Sequence, residues 1–439
     1  MPARVGGPAV APPLNRALWW SFCLLVASIP FEFPERSFPV EIPTLTAALF
    51  LAATLLQPSA CYKRRPPVVL WLFGYLYMFW LTAAWAGRDA LATDLNGAEY
   101  WSQVLKLFLL LFEVVLVFWA AYNLMSAPRV GRTVLALLAV ACAVRALLPF
   151  VGIARTSHVI WGGGQRVTAL GQNANNSAMI LGAGFIALIG LQYALDRPFF
   201  KRRWVAWPLL GLLVVSMVDT GSRGGLVGLG MGLMAFALGG AQRTWLRVRN
   251  AAVAVLAIGG IVFVSYRSDV VRRRFTDTLE RGELAGREQI YPALFHMFAE
   301  RPLTGWGPVN NKYELGLRLD ERVRRRRDAH NLVLEVLTAS GVLGTVPFVA
   351  AVGLCCLGAW RARRGPHGVV PLALTATVMM ANVSGNWIAS KLLWITLAYA
   401  IASAGYPVTA IQAVRARFAT PRPDGPRPLP APFPELEPR

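Results

Sequence analysis

Four short motifs place polar side chains at the junctions between polar and apolar segments. In SRGG (222–225), Arg223 stands where one apolar run ends and the next begins. A planar guanidinium binds phosphate or carboxylate in a bidentate manner, and backbone N–H groups at the start of a following helix also bind anions. The alternative interpretation is an interfacial arginine that reaches lipid headgroups, beside glycines that let helices pack closely. The spacing alone leaves both interpretations open.

A second candidate cation is Arg287 in LAGREQIYPALF, where it follows a glycine and begins a predicted amphipathic helix. Glu288 then falls in the first turn, where a carboxylate is favoured. The alternative is an ordinary solvated helix start. The nearby runs Arg272–Arg274 and Arg324–Arg327 are predicted to meet anionic headgroups or the phosphates of a lipid partner.

His330 is the candidate proton acceptor, because it lies where the polar run RRRRDAHN enters an apolar segment. With Asp328 and Asn331 beside it, a histidine there could be an oriented general base near neutral pH. The alternative is a wet residue at a helix entry that Asp328 or Asn331 caps. The sequence has 4 histidines and none in HxxxH or HExxH spacing, so no metal site is predicted.

The run RVTALGQNANNSAMIL (166–181) joins Arg166 to a group of amides that includes Asn175. Amide side chains could bind sugar hydroxyls or a diphosphate at the mouth of a membrane span. The alternative is a set of caps at a helix start.

The elements that must position these residues are membrane helices. Of 439 residues, 55% are hydrophobic and 15% are charged, against about 25% charged in soluble domains. A membrane-spanning helix needs about 20 apolar residues. Apolar segments of roughly that length lie at 17–33, 41–57, 68–86, 103–124, 131–151, 176–195, 204–219, 225–241, 251–266, 331–358, 369–387 and 391–411. The sequence therefore predicts an all-α polytopic membrane protein with about twelve transmembrane helices.

The predicted organisation has five parts. Residues 1–16 form a cytoplasmic tail, 17–266 hold helices one to nine, and 267–330 form a large folded loop. Residues 331–414 hold helices ten to twelve, and the proline-rich stretch 415–439 is a disordered cytoplasmic tail. The first apolar run ends in PFEFPERSFP, which is no small-residue cleavage site, so it is kept as the first span.

Charge predicts the orientation. The connectors CYKRRPP, MSAPRVGR, DRPFFKRR, QRTWLRVR and RARRGPHG are basic, and we assign them to the cytoplasm. The connector 152–175, the SRGG turn and the loop 267–330 then share the opposite face, the periplasm of a bacterium. A net charge of +21 is typical of a membrane protein whose Lys and Arg gather in cytoplasmic loops, so no nucleic-acid partner is predicted. The 5 cysteines show no CxxC or Cys/His spacing, which argues against disulfides and zinc.

In combination, these motifs resemble the O-antigen ligase family and its relatives. The resemblance rests on GQNANN after an arginine, SRGG, GR at the start of a loop helix followed by RPLTGWG (301–307), and HN entering the next span. Relatives often have a proline in the first motif, where this chain reads Gly171-Gln172-Asn173.

The resemblance implies a GT-C-like fold with a helical periplasmic lid, and an inverting, metal-independent glycosyltransferase without cofactors in the inner membrane. Such enzymes move O-antigen from undecaprenyl diphosphate to lipid A–core oligosaccharide. Carried over by motif, Arg223 and Arg287 would hold the diphosphate, with Arg166 and Asn175 beside it as further substrate-binding residues, and His330 would be the base.

Two alternatives remain open at this stage. The first changes the acceptor and gives an O-antigen polymerase or a protein O-oligosaccharyltransferase. The second is a lipid or solute transporter. The two halves of the sequence lack the matching Gly/Pro-broken spans that are typical of transporters. Charged residues within the spans are also few, and Glu113 and Arg145 are the clearest of them.

Overall fold

Within the described residues, each of the twelve predicted apolar segments contains a helix. The computed structural model describes residues 14–32, 40–87, 97–159, 165–195, 197–239, 244–282, 286–319 and 326–406. Within them the helices are α1 (Arg16–Ser28), α2 (Ile42–Thr54), α3 (Pro58–Cys61), α4 (Pro67–Ala86), α5 (Gly97–Met125), α6 (Pro128–Leu147), α7 (Ala174–Ile189), α8 (Ala206–Asp219), α9 (Arg223–Leu238), α10 (Thr244–Arg267), α11 (Asp269–Arg281), α12 (Arg287–Glu300), α13 (Asn310–Arg318), α14 (Leu332–Ala362), α15 (Val370–Asn382) and α16 (Lys391–Ala404).

The helix starts follow local sequence rules. Proline occupies the first turn of α2, α4, α6 and α15, where its missing N–H removes no helical hydrogen bond. Side-chain caps begin the helices next to the candidate motifs. The caps are Asn173 for α7, Ser222 for α9, Ser268 for α11 and Asn331 for α14.

The all-α polytopic class is confirmed. Among the described residues, 6 helices are long and apolar enough to cross a membrane, and shorter apolar helices of 10–17 residues accompany them. The apolar stretch that continues α7 to Ala194 is 89% buried, whereas that of α10 is 17% buried. Helix α7 therefore lies at the centre, in contact with α6, α8, α9 and α15, and α10 turns most of its surface outward.

One element is not predicted by the sequence analysis. The connector after α6 holds the strands β1 (Arg155–Val159) and β2 (Gln165–Ala169), which pair antiparallel with His158 opposite Arg166. The predicted tails, 415–439 and most of 1–16, lie outside the described residues.

The long loop is folded and carries α11, α12 and α13. The RPLTGWG segment fastens it to α14, which is broken at Gly341 with a left-handed φ of 57°. The Trp306 N–H donates to the Thr338 carbonyl at 2.8 Å, on one side of the break. The Val342 N–H donates to the Pro302 carbonyl at 2.8 Å, on the other side. The loop thus satisfies backbone groups that the break leaves without helical partners.

Candidate active site

Three arginines from separate segments surround the turn between α8 and α9. From β2, Arg166 donates through Nε to the Thr220 carbonyl at 2.6 Å. Arg223, the first residue of α9, donates through Nη1 to the Arg274 carbonyl at 2.7 Å. From α11, Arg274 donates through Nη1 to the Gly221 carbonyl at 2.8 Å. We call Arg166, Arg223 and Arg274 the arginine cluster; it joins the hairpin, the SRGG turn and the long loop.

The electrostatics of the arginine cluster favour a bound anion. Burial, followed by the charges of Arg274 and Arg223, lowers the pKa of Arg166 to about 10, so its side chain is still a cation at neutral pH. Like charges held together repel one another, and an anion placed among them relieves that repulsion. Arg223 also begins α9, whose N-terminus carries partial positive charge.

Asn175 connects Arg166 to the SRGG turn. Its Oδ1 accepts a hydrogen bond from the Ser222 hydroxyl at 2.8 Å and one from Arg166 Nη2 at 3.4 Å. Ser222 in turn accepts from the Gly225 N–H at 3.2 Å, which caps α9. The structure thus brings Asn175 together with Arg166 and the SRGG turn.

Other amides of the same motif are structural. The Oε1 atom of Gln172 accepts from the buried Arg145 at 2.8 Å, and its Nε2 donates to the Pro30 carbonyl at 3.0 Å. Asn176 donates to the carboxylate of Glu32. Gln172 and Asn176 are 1% and 6% exposed, so they tie α7 to the end of α1 rather than face a substrate.

His330 lies in the short segment between α13 and α14, in a left-handed conformation with a φ of 50°. Burial lowers its pKa below the ordinary value, and the charges of Arg287 and Arg327 lower it further, while Asp328 and Glu335 act in the opposite direction. The imidazole is therefore neutral at pH 7 and has a lone pair that can accept a proton.

Arg287 is held against the segment between α15 and α16. It is the first residue of α12, after Gly286, whose φ of 83° favours glycine. Its Nη2 donates to the carbonyl of Ser384 at 3.1 Å. Because its charge acts on the pKa of His330, the two predicted site residues share one environment.

The segment Val383–Trp387, between α15 and α16, connects the two groups of residues, and sequence reasoning did not single it out. Ser384 accepts from Arg287 and lies so close to Gly224 that a side chain there would collide with it. Asn386 donates through Nδ2 to Asp328 at 3.2 Å. The predicted span 369–387 ends earlier than expected, at Asn382. The polar residues of NVSGNW (382–387) were the available signal.

An apolar cavity of about 440 Å³ is lined by Arg272 and by apolar residues that neighbour the arginine cluster along α9 and α11. Leu226, one turn after Arg223 on α9, contributes to its wall, as do Val271 and Phe275, which flank Arg274 on α11. Ile258, Ile261 and Val262 of α10 close the other side. The site therefore places cations at the edge of a space suited to a hydrocarbon chain.

A metal site in a protein needs several acidic, histidine or cysteine side chains gathered in one place. Over the residues that the structure describes, no group of 3 or more of them could hold a metal ion. The metal independence that the sequence analysis expects stays a prediction.

The fold and the site together define a multi-pass membrane protein with a cationic site at the ends of its helices. Residues 208–349 match the family described as O-antigen ligase, a range that includes Arg223, Arg287 and His330 but not Arg166 or Asn175. An O-antigen ligase from Pseudomonas aeruginosa is 28% identical over 195 residues. That similarity covers 43% of this chain and 43% of the relative, less than half of either. Over residues 208–349, the chain is therefore similar to the O-antigen ligase family.

Proposed function

We propose that this protein is an inverting, metal-independent glycosyltransferase. It would move O-antigen polysaccharide from undecaprenyl diphosphate to lipid A–core oligosaccharide. The observation that carries the proposal is the pair of contacts that joins the SRGG turn to Arg287 through Ser384. The apolar cavity of about 440 Å³ and the neutral His330, whose pKa responds to Arg287, complete the site. The similarity of residues 208–349 to the O-antigen ligase family supports the role in O-antigen processing.

The donor has two chemically distinct parts, and the site offers a surface for each. The polyprenyl chain would enter the cavity between α9, α10 and α11, where Leu226 and Phe275 present apolar surface. The diphosphate would then bind Arg223, and Arg166, which is hydrogen-bonded to Asn175, would lie next to it. Arg287, which is hydrogen-bonded to Ser384, would bind it from the long loop. Bidentate guanidinium–phosphate hydrogen bonds are charge-assisted and strong.

Breaking the glycosyl–diphosphate bond leaves negative charge on the departing diphosphate. Fixed cations stabilise that charge best when they are already oriented toward it. Arg223 and Arg287 are each fixed by a backbone carbonyl, that of Arg274 and that of Ser384, so little reorganisation is needed during the reaction. They would stabilise the leaving group.

The attacking group would be a sugar hydroxyl of the acceptor. Its oxygen bonds to the anomeric carbon from the side opposite the diphosphate, the carbon–diphosphate bond breaks, and the configuration inverts. The hydroxyl proton passes to the neutral ring nitrogen of His330, and afterwards to water. A positioned base contributes about 10²–10⁴-fold to such a step.

We place the site on the periplasmic side of the bacterial inner membrane. Basic connectors such as DRPFFKRR lie between helices at the end remote from the SRGG turn, and Lys and Arg mark the cytoplasmic side of short loops. The partners are thus the lipid-linked polysaccharide, lipid A–core and the surrounding membrane lipids.

Purified protein tests the proposal directly. It is given undecaprenyl-diphosphate-linked O-antigen and lipid A–core in the presence of a chelator, and the product is read on a gel. We expect high-molecular-mass lipopolysaccharide with the native protein and none with His330→Ala. Product that forms only when metal is restored would refute metal independence. Chain growth on the donor without lipid A–core would identify a polymerase instead.

A further inference from the structure

The segment just before His330 is held by charged side chains that the proposed mechanism does not use. Glu335, in the first turn of α14, accepts the Ala329 N–H at 3.1 Å through Oε2. Asp328 accepts from Lys312 Nζ at 2.6 Å. Lys312 also lies 3.6 Å from Glu335, so one ammonium group bridges the two acids. We call Lys312, Asp328 and Glu335 the lysine bridge.

Two members of the lysine bridge, Lys312 and Asp328, are ionised at neutral pH. Burial alone would lower the pKa of Lys312, but Glu335 and Asp328 outweigh it, so its pKa is raised. Burial would likewise raise the pKa of Asp328, but Lys312, Asn386 and His330 leave it below the ordinary value. Glu335 is 8% exposed, and its other oxygen accepts from Asn311 at 3.4 Å. A buried carboxylate with this many donors is firmly fixed.

The contact of Glu335 differs from ordinary helix capping. In a capping box, the acid at the third helical position binds the N–H of the capping residue. Asn331 caps α14 here, and Glu335 comes one position later. It reaches past His330 to the N–H of the residue before it. His330 is left between two fixed points, in a left-handed conformation that persists only where the surroundings impose it.

We propose that the lysine bridge positions His330 for proton transfer, with Glu335 as the residue on which this alignment depends. The inference rests on the proposed function, because it presupposes that His330 accepts the proton of the acceptor hydroxyl. Glu335 is a positioning residue in this account: it contacts the backbone beside the base, not the reacting atoms. The negative charges of Asp328 and Glu335 also favour the imidazolium that forms when the proton arrives.

The test compares Glu335→Ala with Glu335→Gln in the transfer assay. The alanine variant loses the acceptor for the Ala329 N–H, and a misplacement of about 1 Å can lower the rate about 10²-fold. We expect kcat to fall by that order while KM for the lipid-linked donor stays unchanged, because the arginine cluster is intact. The amide oxygen of glutamine can still accept that N–H, so Glu335→Gln should recover most of the loss.

The pH profile separates positioning from simple stability. The charged groups that face His330 are Arg287 from α12, Glu335 from α14, and Arg327 and Asp328 from its own segment. Glu335→Gln removes one negative charge, which lowers the pKa of His330. The acid limb of the pH profile, where kcat falls because His330 becomes protonated, should therefore move to lower pH. The control Glu314→Gln breaks an ion pair of 2.8 Å with Arg318 on α13 and should leave that limb in place.

Parallel assays of native protein and His330→Ala keep the outcomes distinct. Inactive native protein, or a fully active His330→Ala, overturns the proposed function and this inference with it. If those two behave as expected, a fully active Glu335→Ala overturns the positioning role alone. Should Glu335→Ala fail to fold, the position of the acid limb in Glu335→Gln decides: a shift supports the inference and an unchanged limb refutes it.

Discussion

Arg287 donates a hydrogen bond of 3.1 Å to the backbone carbonyl of Ser384. The side chain of Ser384 meanwhile lies against Gly224, next to Arg223. A single residue between α15 and α16 thus contacts both the SRGG turn and an arginine of the long loop. The proposed diphosphate site has two halves, and Ser384 is the contact that sets their separation.

Gly224→Ala tests that contact. The added methyl group would push Ser384 away and with it the carbonyl that orients Arg287, so we expect donor KM to rise and kcat to fall by about 10-fold or more. The measurement is steady-state transfer in detergent. Gly211→Ala is the matched control. Gly211 lies in the neighbouring α8, and the methyl group of an alanine there would enter open space. Equal activity of both variants would contradict the prediction.

The arginine cluster predicts a role for Arg274 equal to that of Arg223. Arg274→Gln removes one of the three cations, and a charge-assisted hydrogen bond contributes about 1.5–3 kcal/mol. We expect donor KM to rise about 10-fold or more, with a weaker dependence on salt. Binding of the lipid diphosphate measures this directly. Arg273→Gln, which changes an exposed neighbour on α11, should bind almost normally.

The sequence does not predict which of three consecutive arginines on α11 enters the site. Arg272, Arg273 and Arg274 are chemically identical, and only the rotation of α11 against the SRGG turn directs Arg274 inward, while Arg272 pairs with Asp269 at 2.7 Å. The twelve apolar segments, by contrast, were predictable because their length and composition leave few alternatives to a membrane helix.

The errors have local physical causes. The predicted span 369–387 includes Val383 and Trp387 because both are apolar. In the structure, the Asn382 side chain accepts the Trp387 N–H at 3.2 Å, and this hydrogen bond favours a turn over further helix. The hairpin was missed because each strand has 5 residues, too few for a clear alternation. The reach of Glu335 to Ala329 depends on tertiary packing, which a motif does not encode.

Gly341→Ala tests how the long loop is anchored. The φ of 57° is left-handed, and a methyl group there would collide with the backbone of Leu303 in the RPLTGWG segment. We expect destabilisation by about 1–3 kcal/mol, measured as thermal unfolding in detergent. Gly353→Ala, on the same helix with open space around it, should not destabilise the protein. A similar melting temperature for both variants would contradict the anchoring.

Removing a positive charge and removing a negative charge near His330 should shift the pH dependence of transfer in opposite directions. Its lowered pKa means that the neutral base is present at pH 7 and is lost as the pH falls through that pKa. Arg327→Gln removes a cation that lowers the pKa, so the acid limb of kcat should move to higher pH. Asp328→Asn removes an anion that raises the pKa, so the limb should move to lower pH. Shifts in the same direction would show that another group titrates.

The backbone at His330 predicts a separation of stability from activity. Its φ of 50° is unfavourable for any residue with a Cβ, by roughly 1–2 kcal/mol, and glycine avoids that cost. His330→Gly and His330→Ala both lack the base, so we expect both to lose transfer. The glycine variant should nevertheless be more stable than the alanine variant by about 1 kcal/mol in the free energy of unfolding, and it should therefore melt at a higher temperature. Identical melting curves would mean that the segment relaxes out of the left-handed conformation once the imidazole is removed.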